Sequence, residues 1–240
     1  MSVPTNARTV LLLPGLLCDE AVWRHQVAAL AGQHCVIPSW GLARSIEAMA
    51  GIALAATAAS DLAVVGHSMG GRVALEIARL APERVGRIAL LDTGMDPLAA
   101  GEAGRREIAG RQALLQAARA QGMRAMGQQW ARGMVHPDHL ESAVFANILA
   151  MIERRNADEF AAQIDALIQR PNARAVLAGL RCPTLLACGR QDQWSPLARH
   201  EEMQRLCPAA RLVVIERSGH MSTMEQPAAV STLLRDWLAG

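Results

Sequence analysis

Short apolar runs alternate with helix-like stretches along most of the chain. The runs Thr9–Leu13, Cys35–Pro38, Leu62–Gly66, Arg87–Asp92, Thr184–Cys188 and Leu212–Ile215 predict strands. Their nearly continuous Val, Ile and Leu content, without polar alternation, is what strands covered on both faces require. Between them, Glu20–Ala31, Ile46–Ala59, Gly70–Leu80, Pro196–Leu206 and Ala228–Leu238 read as helices. Strand and helix in alternation predict an α/β fold, a mostly parallel sheet flanked by helices.

Residues 95–179 break this rhythm. They contain no convincing strand and read as three or four amphipathic helices. One carries Leu140, Val144, Ile148 and Met151 at helical spacing, another Phe160, Ile164, Leu167 and Ile168. The segment is too long for a plain crossover. It leaves from the carboxyl end of a strand, where open sheets bind ligands. We therefore expect a core of residues 1–94 and 180–240, with 95–179 inserted as a helical cap. The competing reading has these helices simply covering one sheet face.

Composition narrows the chemistry. The 24 basic and 22 acidic residues nearly cancel, and no basic stripe of the kind nucleic acid requires is present. Met1–Arg8 lacks the charged-then-apolar order of a secretory leader. The run Val10–Leu17 is interrupted at Pro14 and Gly15 and falls short of the ~20 residues of a membrane helix. Cys18, Cys35, Cys182, Cys188 and Cys207 are odd in number and form no CxxC pair, which suits thiols in a reducing compartment. The expectation is a cytoplasmic protein with no membrane or nucleic-acid partner. All 24 basic residues are arginine and tyrosine is absent. A P-loop lysine, Schiff-base chemistry, a Ser-Lys dyad and a phenolic acid or base are thereby excluded.

The sharpest local signal is Leu62-Ala-Val-Val-Gly66-His67-Ser68-Met69-Gly70-Gly71. An apolar strand runs into Gly-x-Ser-x-Gly and then an amphipathic helix, the order a nucleophile elbow needs. The helix start adds free amides and a positive dipole end near a developing oxyanion. A serine nucleophile requires a base, and the base an orienting acid. His220, in Gly219-His220 after the strand Leu212–Ile215, can reach across the sheet's carboxyl edge. His67 flanks the serine, His25 and His200 fall in helices, His34 begins a strand, and His136 and His139 form an HxxH pair. Asp192, in the loop after Thr184–Cys188, is the acid that completes the order Ser, Asp, His; Asp92 and Asp96 are its rivals. The strand Thr9–Leu13 ends in Pro14-Gly15-Leu16-Leu17, where the Leu16 amide can pair with that of Met69 as an oxyanion hole.

Over nearly its whole length the chain resembles the α/β-hydrolase family. Gly66-His67-Ser68-Met69-Gly70-Gly71 matches that family's nucleophile elbow, Gly189-Arg190-Gln191-Asp192 before Pro196 its acid loop, and Gly219-His220 its histidine loop. Two segments depart from the pattern. Pro14-Gly15-Leu16-Leu17 replaces the common His-Gly-x-Gly, and Pro38-Ser39-Trp40-Gly41-Leu42-Ala43-Arg44-Ser45 replaces Asp-x-Pro-Gly-x-Gly-x-Ser. The resemblance implies cleavage of carboxylic esters, lactones, thioesters or carbon–carbon bonds. It disfavours dehalogenation, whose nucleophile is an aspartate where this chain has Ser68.

The expected activity is hydrolysis of a small-molecule ester through an acyl-enzyme, without metal or organic cofactor. The same triad also fits acyl transfer to an acceptor other than water, and the same fold fits a ligand receptor or a binding module. Trp130, Met126 and Phe145 in the cap, with Met123 and Met134, are candidates for the pocket wall. Little clustered charge in 95–179 points to a neutral, mainly apolar substrate.

Overall fold

The computed structural model describes residues 7–240, so most of the stretch read above for a leader, Met1–Arg8, lies outside the described residues. Six strands form one sheet in the order β2-β1-β3-β4-β5-β6, with every neighbouring pair parallel. They are β1 (Thr9–Leu13), β2 (His34–Val36), β3 (Leu62–His67), β4 (Val85–Leu91), β5 (Thr184–Gly189) and β6 (Arg211–Ile215). All six carboxyl ends consequently meet at one edge. Strands β3 and β5 are buried at every residue, whereas the outer strands β2 and β6 are partly exposed. That gradient follows the sequence: the unbroken apolar runs occupy the middle of the sheet.

Helices α1 (Arg24–Ala29), α2 (Ile46–Ala55), α3 (Met69–Leu80), α9 (Leu197–Leu206), α10 (Ser222–Glu225) and α11 (Pro227–Ala239) complete the crossovers and close the chain. Two of them differ from the sequence expectation for identifiable reasons. Glu20–Trp23 is a 3-10 turn, because the Asp19 carboxylate caps it by accepting from the Ala21 N–H, and only then does α1 begin. Helix α2 stops at Ala55, where the Arg84 guanidinium donates to the carbonyls of Leu54, Thr57 and Ala59. Those are the acceptors that a helix end and its exit leave unpaired. Strand β2 ends before Pro38, which has no N–H to give a ladder.

Between β4 and β5 the chain forms helices and no strand: α4 (Gly101–Gln121), α5 (Met123–Trp130), α6 (Ala143–Glu153), α7 (Ala157–Ile168) and α8 (Arg174–Ala178). Helix α7 opens with a reciprocal capping box between Asn156 and Glu159. Helices α4, α5, α6 and α7 pack on one another, while α8 packs on α3 and α9 against the sheet. No helix among the described residues is long and apolar enough to cross a membrane.

Candidate active site

The strand order places the turns after β1 and β3 side by side, with β1 continuing to β2 and β3 continuing to β4 in opposite directions. A crevice at the carboxyl ends opens where connections part in this way. Ser68 sits there, between β3 and α3, with φ 55° and ψ −118°. A left-handed φ costs a serine of order 1–3 kcal/mol and must be held by its surroundings. Here the Ser68 N–H donates to the Leu91 carbonyl at 2.9 Å, and its own carbonyl accepts from Thr93 Oγ1 at 2.6 Å. The flanking glycines are required by contact: a Cβ on Gly66 would overlap the Gly70 backbone, and one on Gly70 the Leu13 carbonyl. The elbow is therefore pressed against its own helix on one side and the end of β1 on the other.

His220 lies in the loop after β6, with its ring buried. Its Nε2 is 2.8 Å from Ser68 Oγ, and its Nδ1 is 2.8 Å from Asp192 Oδ2. A carboxylate only accepts, so Nδ1 carries the proton and Nε2 is free to accept from the serine hydroxyl. The other Asp192 oxygen accepts from the Trp194 and Ser195 N–H groups, both at 2.8 Å. Burial alone would raise the Asp192 pKa, but the imidazole and these donors hold it below the ordinary carboxylate value. Burial likewise pulls the His220 pKa down, yet the Asp192 charge and hydrogen bond outweigh it and the net shift is upward.

Asp92 and Asp96 occupy other places. Asp92 is fully buried; its carboxylate accepts from the Gly189 N–H at 2.9 Å and from the Ser222 hydroxyl. Burial, and then the Asp192 charge, push its pKa up. Asp96 pairs with Arg174 at 2.7 Å. Asp92, Cys188 and Asp192 form the one cluster of three metal-type donors among the described residues. Their donor atoms are engaged with protein groups, the Cys188 thiol donating to the Gly189 and Ser195 carbonyls. His136 and His139, the HxxH pair, are absent from that cluster.

The Leu16 and Met69 N–H groups have no acceptor among the described residues, and both residues line the cavity beside Ser68. The turn that carries Leu16 is close: a Cβ on Gly15 would stand 3.1 Å from the Ser68 Cβ. Next to it, Leu17 (φ 58°) has its N–H bound by Gln163 Oε1 at 2.8 Å, tying the turn to α7.

Comparison with known proteins fits this geometry. The model of the alpha/beta hydrolase family matches residues 10–233. The chain belongs to that family. The protein provisionally named carbamate hydrolase RutD from Klebsiella pneumoniae is 26% identical over 98% of this chain and 92% of its own. A pimeloyl-[acyl-carrier protein] methyl ester esterase from Neisseria meningitidis is 28% identical over 81% of this chain and 76% of its own. Among solved structures, a thermophilic esterase from Thermogutta terrifontis superposes with a TM-score of 0.85 at 27% identity, over 97% of this chain and 90% of that one.

Several residues that shape this hydrolase site carry no sequence signature. Glu225, almost fully buried in α10, accepts from the Gly219 and Met221 N–H groups at 3.0 Å and from the His136 N–H at 2.6 Å. It holds the histidine loop on both sides of His220. The His220 N–H itself donates to the Met134 carbonyl at 2.5 Å, so the segment between β4 and β5 touches the imidazole's own backbone. His67 donates from Nε2 to the His220 carbonyl at 2.8 Å; burial and the neighbouring imidazole lower its pKa to about 4, which keeps it neutral. Trp194 lies over the His220 ring, 5.2 Å between centroids, and Trp130 packs on Trp194 at 5.1 Å.

The cavity beside Ser68 measures about 860 Å³. Trp130 and Met134 line it. Met126, Phe145 and Met123 do not; they are buried in the helical packing of 95–179. Spacing along a helix identifies an apolar face without saying whether that face meets a cavity or another helix. The lining is mainly apolar in area but not neutral: Arg72, Arg106, Arg111, Arg170 and Arg199 all reach it. These arginines are scattered over more than half the chain, so no local charge cluster announces them.

Proposed function

We propose that this hydrolase cleaves carboxylic esters through an acyl-enzyme on Ser68. The observation that carries the reading is the unbroken relay from Ser68 Oγ through His220 to Asp192, at 2.8 Å in each step. His220 takes the hydroxyl proton as Ser68 Oγ attacks the ester carbonyl carbon. Asp192 holds the imidazole in the productive tautomer and stabilises its cation. The Leu16 and Met69 N–H groups receive the oxyanion; each such donor is worth roughly 3 kcal/mol of transition-state stabilisation. The tetrahedral adduct collapses by expelling the alcohol, which takes the proton from His220. Water then enters, gives a proton to His220 and attacks the acyl carbon; the second adduct collapses by expelling Ser68 Oγ, which takes that proton from His220 as the acid is released.

Residues 95–173 form a cap over this site, with α8 belonging to the sheet-covering layer. Asp19, at the turn after β1, joins Arg154 and Arg155 in that cap at 2.7 and 3.3 Å. The tilted Trp130–Trp194 contact brings a cap residue to the indole beside His220. An ester entering the cavity is thus enclosed next to the nucleophile, where low dielectric strengthens each polar contact.

Hydrolysis of p-nitrophenyl esters from acetate to laurate by wild type and Ser68→Ala tests the reading. Activity that falls at least a thousandfold in the variant supports it. Equal weak rates in both overturn the nucleophile assignment.

A further inference from the structure

We infer that Arg72 and Arg199 form an anion subsite in the cavity beside Ser68, and that the ester cleaved there carries a carboxylate. This rests on the serine-esterase reading for the cleavage step, while the subsite itself stands on the charges in the cavity.

Arg111 and Arg170 both bind Glu107, at 2.8 and 2.7 Å, so each has a carboxylate partner, although the three together keep one net positive charge. The Asp96 carboxylate is committed to Arg174. Arg72 and Arg199 have no carboxylate partner among the described residues. Arg72 Nη1 donates to the Asp96 backbone carbonyl at 2.7 Å, and Arg199 Nη1 to the Trp194 carbonyl at 3.0 Å and Ser195 Oγ at 3.4 Å. These bonds fix each guanidinium and leave its other N–H groups uncommitted.

The two also converge. A Cβ built on Gly94 would stand 2.7 Å from Arg199 Cδ, 3.3 Å from Arg72 Nη2 and 3.4 Å from Arg199 Nε. Both arginine side chains therefore pass close to one residue of the cavity wall, and only a glycine there leaves them room. Partly buried like charges this close repel. Burial first, and then the Arg170 and Arg199 charges, depress the Arg72 pKa to about 9. A carboxylate between them relieves the repulsion, and guanidinium forks suit its planar pair of oxygens. Arg72 lies one helical turn beyond Ser68 on α3, which places the subsite within the span of one small substrate. Apolar lining from Leu16, Leu114, Trp130 and Leu167 suits the methylene spacer. The reaction consumes water and a hemiester of a dicarboxylic acid, and yields the alcohol and the dicarboxylate.

The test uses the full chain and monomethyl esters of malonic, succinic, glutaric and adipic acid. Each is compared with its isosteric neutral analogue, in which a primary amide replaces the free carboxylate. The ratio of kcat/KM values between the two cancels any general loss of catalysis. Wild type should favour the carboxylate at least tenfold at one spacer length, with the preference shrinking as salt rises. Arg72→Gln and Arg199→Gln should each bring the ratio towards one, and Arg199→Lys should restore part of it. Equal rates on acid and amide at every length, or a preference that survives both glutamine variants, overturns the subsite. Failure to hydrolyse these or any p-nitrophenyl ester sinks the esterase reading instead. Calorimetry with glutarate then still decides the subsite: binding lost in Arg72→Gln supports it, and equal binding in both proteins overturns it.

Discussion

Glu225 offers the most demanding check on how the histidine loop is held. Its two oxygens serve three backbone N–H groups, at Gly219, Met221 and His136. Glu225→Gln keeps one oxygen for Gly219 and Met221 but turns an amide N–H₂ towards the His136 N–H. A buried donor left facing a donor costs about 1–3 kcal/mol. Glu225→Ala removes all three acceptors at once, and about 3–5 kcal/mol is expected, as for breaking a buried charged contact. In a chain of this size each kcal/mol lowers Tm by about 2–4 °C. His220 lies between two of the three anchored amides, so kcat should fall together with stability. A displacement near 1 Å at a reacting group is worth roughly a hundredfold. Urea denaturation and steady-state kinetics on one active ester, with Glu216→Gln as the exposed control, measure both effects. Glu216 pairs with Arg190 at the surface, and its substitution should stay within about 0.5 kcal/mol. A Glu225→Gln protein as stable and active as that control would refute the argument.

Other outcomes follow from the same geometry. His220 acts only when neutral, and its pKa is raised. The acid limb of kcat/KM should therefore lie above the ordinary histidine value of about 6.5, with activity gained as pH rises through it. Asp192→Asn should move that limb to lower pH and reduce kcat by about 10⁴, whereas an Asp192 that only braced the loop would leave the limb in place. Met126→Ala should cost about 2–5 kcal/mol in urea while leaving KM within twofold. Trp130→Ala should change KM across an ester series, since it lines the cavity; a reversed pattern would mean the lining is misassigned. Gly70→Ala should prevent the elbow from closing on the end of β1, seen as loss of soluble folded protein or of all activity.

The sequence by itself determined the sheet and the order of the chemistry along it. Continuous apolar runs can be satisfied only inside a parallel sheet, and such a sheet puts every carboxyl end at one edge. Ser68 after β3, Asp192 after β5 and His220 after β6 are legible because each follows a strand directly, and a loop that short has few places to go. The need for Gly66 was readable for the same local reason, a backbone contact with Gly70 within five residues, whereas Gly70 meets the Leu13 carbonyl at the distant end of β1. Chain order favoured Asp192 over Asp92, which leaves the neighbouring strand, but only the tertiary structure shows that His220 Nδ1 meets Asp192. It alone revealed Glu225, whose three partners include one 89 residues away. It also separated Trp130, at the cavity, from Met126 and Phe145, buried between helices on faces that look equivalent in sequence. The arginines at positions 72, 106, 111, 170 and 199 show the physical reason most clearly. Charge acts through space, so a field built from four separated segments leaves no trace in any one of them.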